Sequence, residues 1–144
     1  MSPVQAKIQS NKVYKVTLSS GSYSTLASLV NVYGLQYYSG YLYVGSLANH
    51  TIYKVNVSDG TNTAWNTSVY YPIGLGIYNG YLYSCNYVQS TAIYQINLSD
   101  GSVANSSFYT LNYAGGYGAM VYNGYYYVYN TSGSSQYITR IACQ

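Results

Sequence analysis

The sequence is poor in charge, and this scarcity limits its partners. Charged residues make up 5% of the chain, against about 25% in an ordinary soluble domain. The few cations form no basic stripe that could contact several phosphates, so we expect no nucleic-acid partner. No apolar run approaches the roughly 18 residues of a membrane helix, and we expect no membrane insertion.

Residues that could act in catalysis or bind a metal are equally scarce. The chain has one histidine, His50, and its acidic residues are Asp59 and Asp100, with no Glu. Both aspartates lie in Ser-Asp-Gly segments that predict turns. No metal-ligand spacing surrounds His50, and an enzyme needs titratable groups within reach of each other. We therefore predict that the protein is not an enzyme and has no catalytic residue, metal site or cofactor.

The cysteines and the N-terminus leave alternatives open. Cys85 and Cys143 are a candidate disulfide in a surface-type chain, or two small buried apolar residues. The first residues lack a basic region followed by an apolar core and do not form a signal peptide. The chain is then an excised piece, a cytosolic product assembled into a particle, or a protein exported by another route.

Tyrosine is the abundant residue, at 24 of 144 positions. It favours strands and combines an apolar ring with a polar tip. Ser, Thr, Asn and Gly supply much of the remainder. This composition is typical of extracellular surface proteins.

Two motifs recur along the chain. The segment Gly-Leu-Gly-Ile-Tyr-Asn-Gly-Tyr-Leu-Tyr at 74–83 has counterparts at 34–43 and 118–127. A second motif, Ile-Tyr-Lys-Val-Asn-Val-Ser-Asp-Gly, follows at 52–60, and its other copies occupy 13–21, 93–101 and, truncated, 138–141. A period of about 40 residues indicates a repeat architecture.

Each unit reads as four strands. The Asn-Gly or Ser-Gly pair inside the first motif suits a two-residue type I′ hairpin between the first and second strands. The second motif is the third strand, and its alternation places two sets of side chains on opposite faces. These sets are Ile52, Lys54 and Asn56 on one face, and Tyr53, Val55 and Val57 on the other. A fourth strand is predicted after the Ser-Asp-Gly turn, for example over 63–70.

Four antiparallel strands every 40 or so residues predict an all-β fold of β-propeller blades. The units resemble NHL-type and YVTN-type propeller repeats, which carry a Gly-hydrophobic strand, a Gly-Tyr-Leu-Tyr-Val-like strand and a third strand ending in Asp-Gly. The resemblance extends from about residue 12 to 142. It implies a propeller fold that binds other molecules, and it implies no particular reaction.

The chain is predicted to be one domain, 1–144, of three to four blades. The units are approximately 1–33 (partial), 34–73, 74–117 and 118–144 (partial). Propellers typically close with about four to eight blades. Three alternatives follow: a tight four-bladed ring, a ring completed by self-association, or part of a longer propeller. The predicted partner is therefore another copy of the chain or further blades of a longer one.

Asn-x-Ser/Thr sequons are candidate glycosylation sites and favour an external location. They are Asn49, Asn56, Asn66, Asn97, Asn105 and Asn130. Asn49 and Asn130 are the preferred sites, because both are predicted to lie in polar loops between the second and third strands. Attached glycans would supply the solubility that so few charges cannot.

These observations predict a non-enzymatic structural or interaction module on the outside of a cell or on a virion. We expect it to self-associate, for example in a filament or surface coat, and to be glycosylated. The alternative is a carbohydrate-binding, lectin-like propeller in which Trp65, the single tryptophan, stacks on a sugar.

Overall fold

A computed structural model describes residues 4–7, 11–87, 90–113 and 116–144. The described residues form strands and turns without any helix, so none of them belongs to a helix that could span a membrane. Within these ranges, fourteen strands are arranged in four antiparallel sheets. The predicted all-β, propeller-like fold class is confirmed.

The strands follow one another in chain order within each sheet. Sheet 1 contains β1 (Val4–Lys7), β2 (Lys12–Val16) and β3 (Tyr23–Ser28). Sheet 2 contains β4 (Val32–Tyr38), β5 (Tyr41–Ser46), β6 (Thr51–Asn56) and β7 (Asn62–Asn66). Sheet 3 contains β8 (Pro72–Tyr78), β9 (Tyr81–Asn86), β10 (Ala92–Asn97) and β11 (Val103–Thr110). Sheet 4 contains β12 (Gly118–Tyr122), β13 (Tyr125–Ser132) and β14 (Ser135–Ala142).

The first two strands of sheets 2, 3 and 4 form the predicted two-residue hairpins. In sheet 3, Tyr78 pairs with Tyr81 across Asn79 and Gly80, whose φ angles are 47° and 83°. Both residues tolerate the left-handed region, which a type I′ turn requires at both central positions. The turn therefore sets the register in which the two strands of the first motif, β8 and β9, pair with each other.

The sheets pack face to face in chain order. Strand β1 contacts β4, β4 contacts β8, and β8 contacts β12. Within the described ranges no comparable packing joins sheet 4 back to sheet 1. The four sheets therefore form an open arc of blades, and the predicted tight four-bladed ring is not formed by a single chain.

Three apolar clusters lie between neighbouring sheets. Between sheets 1 and 2 the buried residues are Val13, Ala27, Leu29, Val32, Leu42, Val44 and Val55. Between sheets 2 and 3 they are Tyr43, Ile52, Val69, Leu75, Leu82, Ile96 and Leu98. Between sheets 3 and 4 they are Ile73, Tyr83, Cys85, Ile93, Leu111, Tyr126, Val128 and Ile141. Ile52 and Val55 lie in different clusters, which confirms the predicted alternation along the third strand.

Small residues on the first strands allow neighbouring sheets to approach closely. A Cβ added to Gly34 would collide with the carbonyl oxygen of Ile73, and one added to Gly74 would lie 2.8 Å from the Cβ of Ala119. Real Cβ atoms do not approach other atoms so closely. Glycine at these positions therefore permits the packing of one blade on the next.

Two predictions of local structure are wrong. The fourth strand of sheet 2, predicted over 63–70, ends at Asn66, because the Asn66 Oδ1 accepts hydrogen bonds from the amides of Ser68 (2.9 Å) and Val69 (3.2 Å). Asn130, predicted in a loop, lies within β13 and pairs with Tyr137. Cross-strand pairing with β14 overrides the polar, loop-like composition of this segment.

Candidate functional site: a tyrosine-rich surface and a polar pocket

Many tyrosine side chains are exposed on the described surface. Those exposed by a third or more of their area are Tyr23, Tyr33, Tyr37, Tyr38, Tyr41, Tyr70, Tyr78, Tyr109, Tyr113, Tyr117, Tyr122, Tyr125 and Tyr137. Several flank the two-residue hairpins, because the first motif has Tyr on each side of its turn. A buried tyrosine ring contributes large contact area at little cost in conformational entropy, so such a surface is suited to binding.

One open polar pocket of about 300 Å³ lies on sheet 2. Strands β5, β6 and β7, with the turn before β7, provide its lining residues, Tyr41, Lys54, Asn56, Thr61, Asn62 and Thr63. The Lys54 Nζ lies 4.3 Å from the centroid of the Tyr41 ring, within range of a cation–π contact. The pocket thus combines an aromatic ring, an ammonium group, amides and hydroxyls, which are suited to a polar ligand such as a polyol.

The predicted sugar-stacking residue, Trp65, lies elsewhere. Its half-buried ring meets the Tyr43 ring edge-on, with centroids 4.8 Å apart, and packs against the core between sheets 2 and 3. A Cβ on Gly101 would lie 3.0 Å from its Cε2, so the indole also rests on the Gly101 backbone. These contacts are those of a packing residue; sugar binding by Trp65 stays a prediction.

His50 belongs to an aromatic cluster. Its ring stacks on Tyr70, with centroids 4.5 Å apart and planes at 8°, and meets the Tyr71 ring edge-on at 4.2 Å. The His50 Nδ1 accepts a hydrogen bond from the Tyr71 amide at 3.3 Å. The neutral ring therefore carries its proton on Nε2, and the histidine joins the loop after β5 to the segment before β8. Among the described residues, no three His, Cys, Asp or Glu side chains come together as a metal site would require.

The two aspartates close turns, as predicted. The Asp59 Oδ1 accepts hydrogen bonds from the Thr61 amide (2.9 Å) and hydroxyl (2.7 Å). The Asp100 Oδ1 accepts the same pair from Ser102, at 2.9 and 2.7 Å. The Thr61 amide, and then its hydroxyl, lower the pKa of Asp59; the Ser102 hydroxyl, and then its amide, lower the pKa of Asp100. Both carboxylates are ionised near neutral pH, and each stabilises its turn by accepting a backbone hydrogen bond.

The sequons differ in accessibility. Asn49 and Asn105 are exposed, and Asn56 and Asn97 are half-buried beside turns. Asn66 and Asn130 are buried, at 5% and 1% exposure. The Asn66 Nδ2 donates to the Gly101 carbonyl at 2.8 Å, and the Asn130 Oδ1 accepts from the Thr139 hydroxyl at 3.2 Å. A glycan on either buried amide is incompatible with this fold, so the prediction of glycosylation at Asn66 and Asn130 is wrong.

Cys85 and Cys143 are free thiols in the same apolar cluster. Cys85 is buried and Cys143 half-buried, and burial raises the pKa of both thiols. A raised pKa reduces the thiolate fraction and hence the reactivity of a cysteine. Their pairing under oxidising conditions stays a prediction.

Two tyrosines of this cluster form buried hydrogen bonds that sequence reasoning missed. The Tyr126 hydroxyl donates to the Gly74 carbonyl at 2.8 Å, and burial raises its pKa well above the ordinary value. The Tyr83 hydroxyl donates to the Gln144 carbonyl (3.0 Å) and accepts from the Gln95 Nε2 (3.2 Å). Tyrosine occurs at so many repeat positions that the sequence does not distinguish Tyr83 and Tyr126, whose hydroxyls are buried, from the exposed tyrosines.

No family model matches the chain, and neither does any curated protein. Solved structures do match. The structure is similar to Kuenenia stuttgartiensis hydrazine synthase (TM-score 0.77, 13% identity, 92% of this chain and 40% of that one). It is also similar to a nidogen/laminin complex (TM-score 0.76, 13% identity), with 94% of this chain and 56% of that one covered. A third similar structure is a Xanthomonas campestris gluconolactonase (TM-score 0.71, 16% identity), with 97% of this chain and 47% of that one covered.

These likenesses confirm the β-propeller fold, and nothing in them singles out the NHL or YVTN type. The chain spans about half the length of each of these three structures. Identities this low establish the fold alone.

Proposed function

We propose that the protein is a non-enzymatic interaction module that self-associates and acts by contact. The observation that carries this proposal is the tyrosine-rich, charge-poor surface described above. Tyrosine is enriched at the centres of protein interfaces, where charged residues are depleted. With a formal net charge of only +3, little overall repulsion opposes the approach of two copies.

An external location fits the same surface. We place the protein on the outside of a cell or on a virion, as part of a surface coat or filament, with repeats of the NHL or YVTN type. Asn49, in the turn after β5, and Asn105, on the edge strand β11, are exposed sequons whose side chains can carry glycans outside the core. Such glycans would keep an assembly of this composition in solution.

Sedimentation velocity over a wide concentration range tests self-association. We expect the weight-average sedimentation coefficient to rise with concentration, or an assembly to persist at the lowest concentration. A species that stays at 15.9 kDa throughout would overturn the proposal.

Carbohydrate binding is a second candidate function, favoured by the polar pocket on sheet 2. Sugars are bound through an aromatic ring together with several hydrogen-bond donors and acceptors, and the pocket offers these through Tyr41, Lys54 and Asn56. A glycan array followed by calorimetry tests it. Binding that is lost in Tyr41→Ala and kept in Tyr109→Ala, an exposed tyrosine outside the pocket, would support this function; an array without hits would remove it.

A further inference from the structure

Each blade-to-blade joint is built from the same two surfaces. The leading face of a sheet packs on the following sheet and includes Ile52 in sheet 2 and Ile93 in sheet 3. The trailing face packs on the preceding sheet and includes Val57 in sheet 2 and Leu98 in sheet 3. Within one chain, therefore, the leading face of one sheet binds the trailing face of the next sheet.

The leading face of sheet 4 is uncovered over its three described strands. Its residue equivalent to Ile52 and Ile93 is Ile138, which is 76% exposed, whereas the other two are 0% exposed. Met120 and Tyr127 flank it across an open apolar groove of about 280 Å³. A groove with almost no polar lining normally binds an apolar surface.

Gly118 provides a second, independent indication. It is equivalent to Gly34 and Gly74, where an added Cβ would strike the following sheet. At Gly118 nothing lies within 4 Å of such a Cβ. The position therefore has the small residue that close approach of another sheet requires, although no sheet of this chain approaches it.

The trailing face of sheet 1 is exposed in the same way. Its Leu18 is equivalent to Val57 and Leu98, which pack against a preceding sheet, yet it is 76% exposed. Tyr23, from β3 beside it, is 72% exposed and meets Tyr14 edge-on. One chain thus presents an uncovered leading face at one end of its arc and, at the other end, an uncovered trailing face on a sheet whose described strands are the second to the fourth of the repeat.

The charged group on the leading face does not oppose such a joint. In sheet 4, the Arg140 guanidinium lies 4.8 Å from the Tyr125 ring centroid. In sheet 2, whose leading face packs on sheet 3, Lys54 occupies the equivalent position 4.3 Å from the Tyr41 ring, where both side chains line the open polar pocket. A cation held against a tyrosine ring is therefore compatible with a closed joint.

We propose that the partner is a second copy of this chain, bound head to tail, with the leading face of sheet 4 on the trailing face of sheet 1. This inference rests on the proposed self-association and names its interface. Two copies supply about eight sheets, within the roughly four to eight blades at which propellers close. Two joints per pair then close a ring and leave neither face exposed.

Variants that block one face each provide the test. Gly118→Leu places a side chain into space that is open in the single chain, and Leu18→Asp places a charge on the opposite face. Val30→Asp is the matched control, since Val30 is 49% exposed and lies between β3 and β4, away from both faces. Circular dichroism and thermal melting establish that every variant folds.

We expect Gly118→Leu and Leu18→Asp each to weaken self-association at least about tenfold in sedimentation, with Val30→Asp unchanged. When the two blocked variants are mixed, each has one intact face of the opposite kind. The mixture should form a one-to-one pair that grows no further. This recovery is specific to head-to-tail contact, because two variants damaged at one shared patch would not restore each other.

The unfavourable outcomes are distinct. If the wild type does not associate, both the proposed function and this inference fail. If it associates and the blocked variants associate equally well, self-association stands, but through another surface, and the head-to-tail joint is wrong. Folded variants that fail to pair on mixing would also overturn the joint.

Discussion

Gly74 and Gly118 occupy the same position in successive repeats, yet the next sheet covers only Gly74. A Cβ on Gly74 would lie 2.8 Å from the Cβ of Ala119, whereas one on Gly118 would meet nothing within 4 Å. The same residue at the same repeat position thus lies in a tight joint in one sheet and on an open face in the other. This contrast supplies matched controls for several predictions.

Substituting Gly34 should destabilise the fold. In Gly34→Ala the new methyl group would collide with the Ile73 carbonyl oxygen, so sheets 2 and 3 must separate. We expect a loss of about 1–3 kcal/mol in the free energy of unfolding, typical of overpacking. Urea denaturation at low protein concentration measures it, with Gly118→Ala as the control that should change little. Equal effects of the two substitutions would contradict the packing described here.

Removing the Tyr126 hydroxyl should also be costly. Tyr126→Phe keeps the ring but leaves the buried Gly74 carbonyl without its donor, which lies 2.8 Å away in the wild type. An unsatisfied buried acceptor costs about 1–3 kcal/mol. The matched control is Tyr122→Phe on the same sheet, because Tyr122 is 60% exposed and its hydroxyl can exchange with water. If both variants unfold at the same urea concentration, the hydrogen bond contributes nothing to stability.

Stability should vary little between about pH 8 and pH 4 and decline only slightly in stronger acid. The pKa values of Asp59 and Asp100 are lowered in the folded state, so both carboxylates stabilise the fold above their unfolded pKa. That contribution is lost as the pH falls through the folded pKa. Both groups are fully exposed, so the contribution is small.

Thermal melts across this range measure the effect. The double variant Asp59→Asn, Asp100→Asn keeps an acceptor in each turn but removes the titration, and its melting midpoint should show no decline in acid. A wild-type midpoint that falls by more than about 15 °C at pH 2–3, equivalent to several kcal/mol, would show that other groups or a pH-sensitive interface control stability.

Glycosylation, when it occurs, should follow accessibility. Chain secreted from a glycosylating eukaryotic host should carry glycans at Asn49 and Asn105 and none at Asn66 or Asn130, whose amides are buried and hydrogen-bonded. Peptide mapping by mass spectrometry before and after enzymatic deglycosylation identifies the occupied sites. Folded protein with a glycan on Asn66 would contradict its described burial.

Much of the fold follows from sequence because its signals are local. The Asn79-Gly80 pair specifies a hairpin through positive φ angles. Alternation along the third strand separates Ile52 from Val55. Asp59 and Asp100 close turns with residues two positions further along. Each signal acts within a few residues and needs no knowledge of distant packing.

The misplaced residues depend on partners far along the chain. Asn66 is buried because its amide bonds to Gly101, which lies 35 residues away. Asn130 is buried because β14 pairs beside it and Thr139 donates to its side chain. A polar segment rich in Ser and Thr predicts a loop unless its strand partner is known.

The sequence by itself determined the repeat, the strands, the hairpin turns and the near absence of chemistry-bearing residues, since period, alternation and composition are properties of the chain alone. Only the tertiary structure decided which repeat faces are covered. Ile93 and Ile138 occupy equivalent positions in the second motif, and burial of one and exposure of the other depends on whether another sheet lies beside them. Burial of apolar area depends on neighbouring sheets, and equivalent repeat positions do not all have such a neighbour.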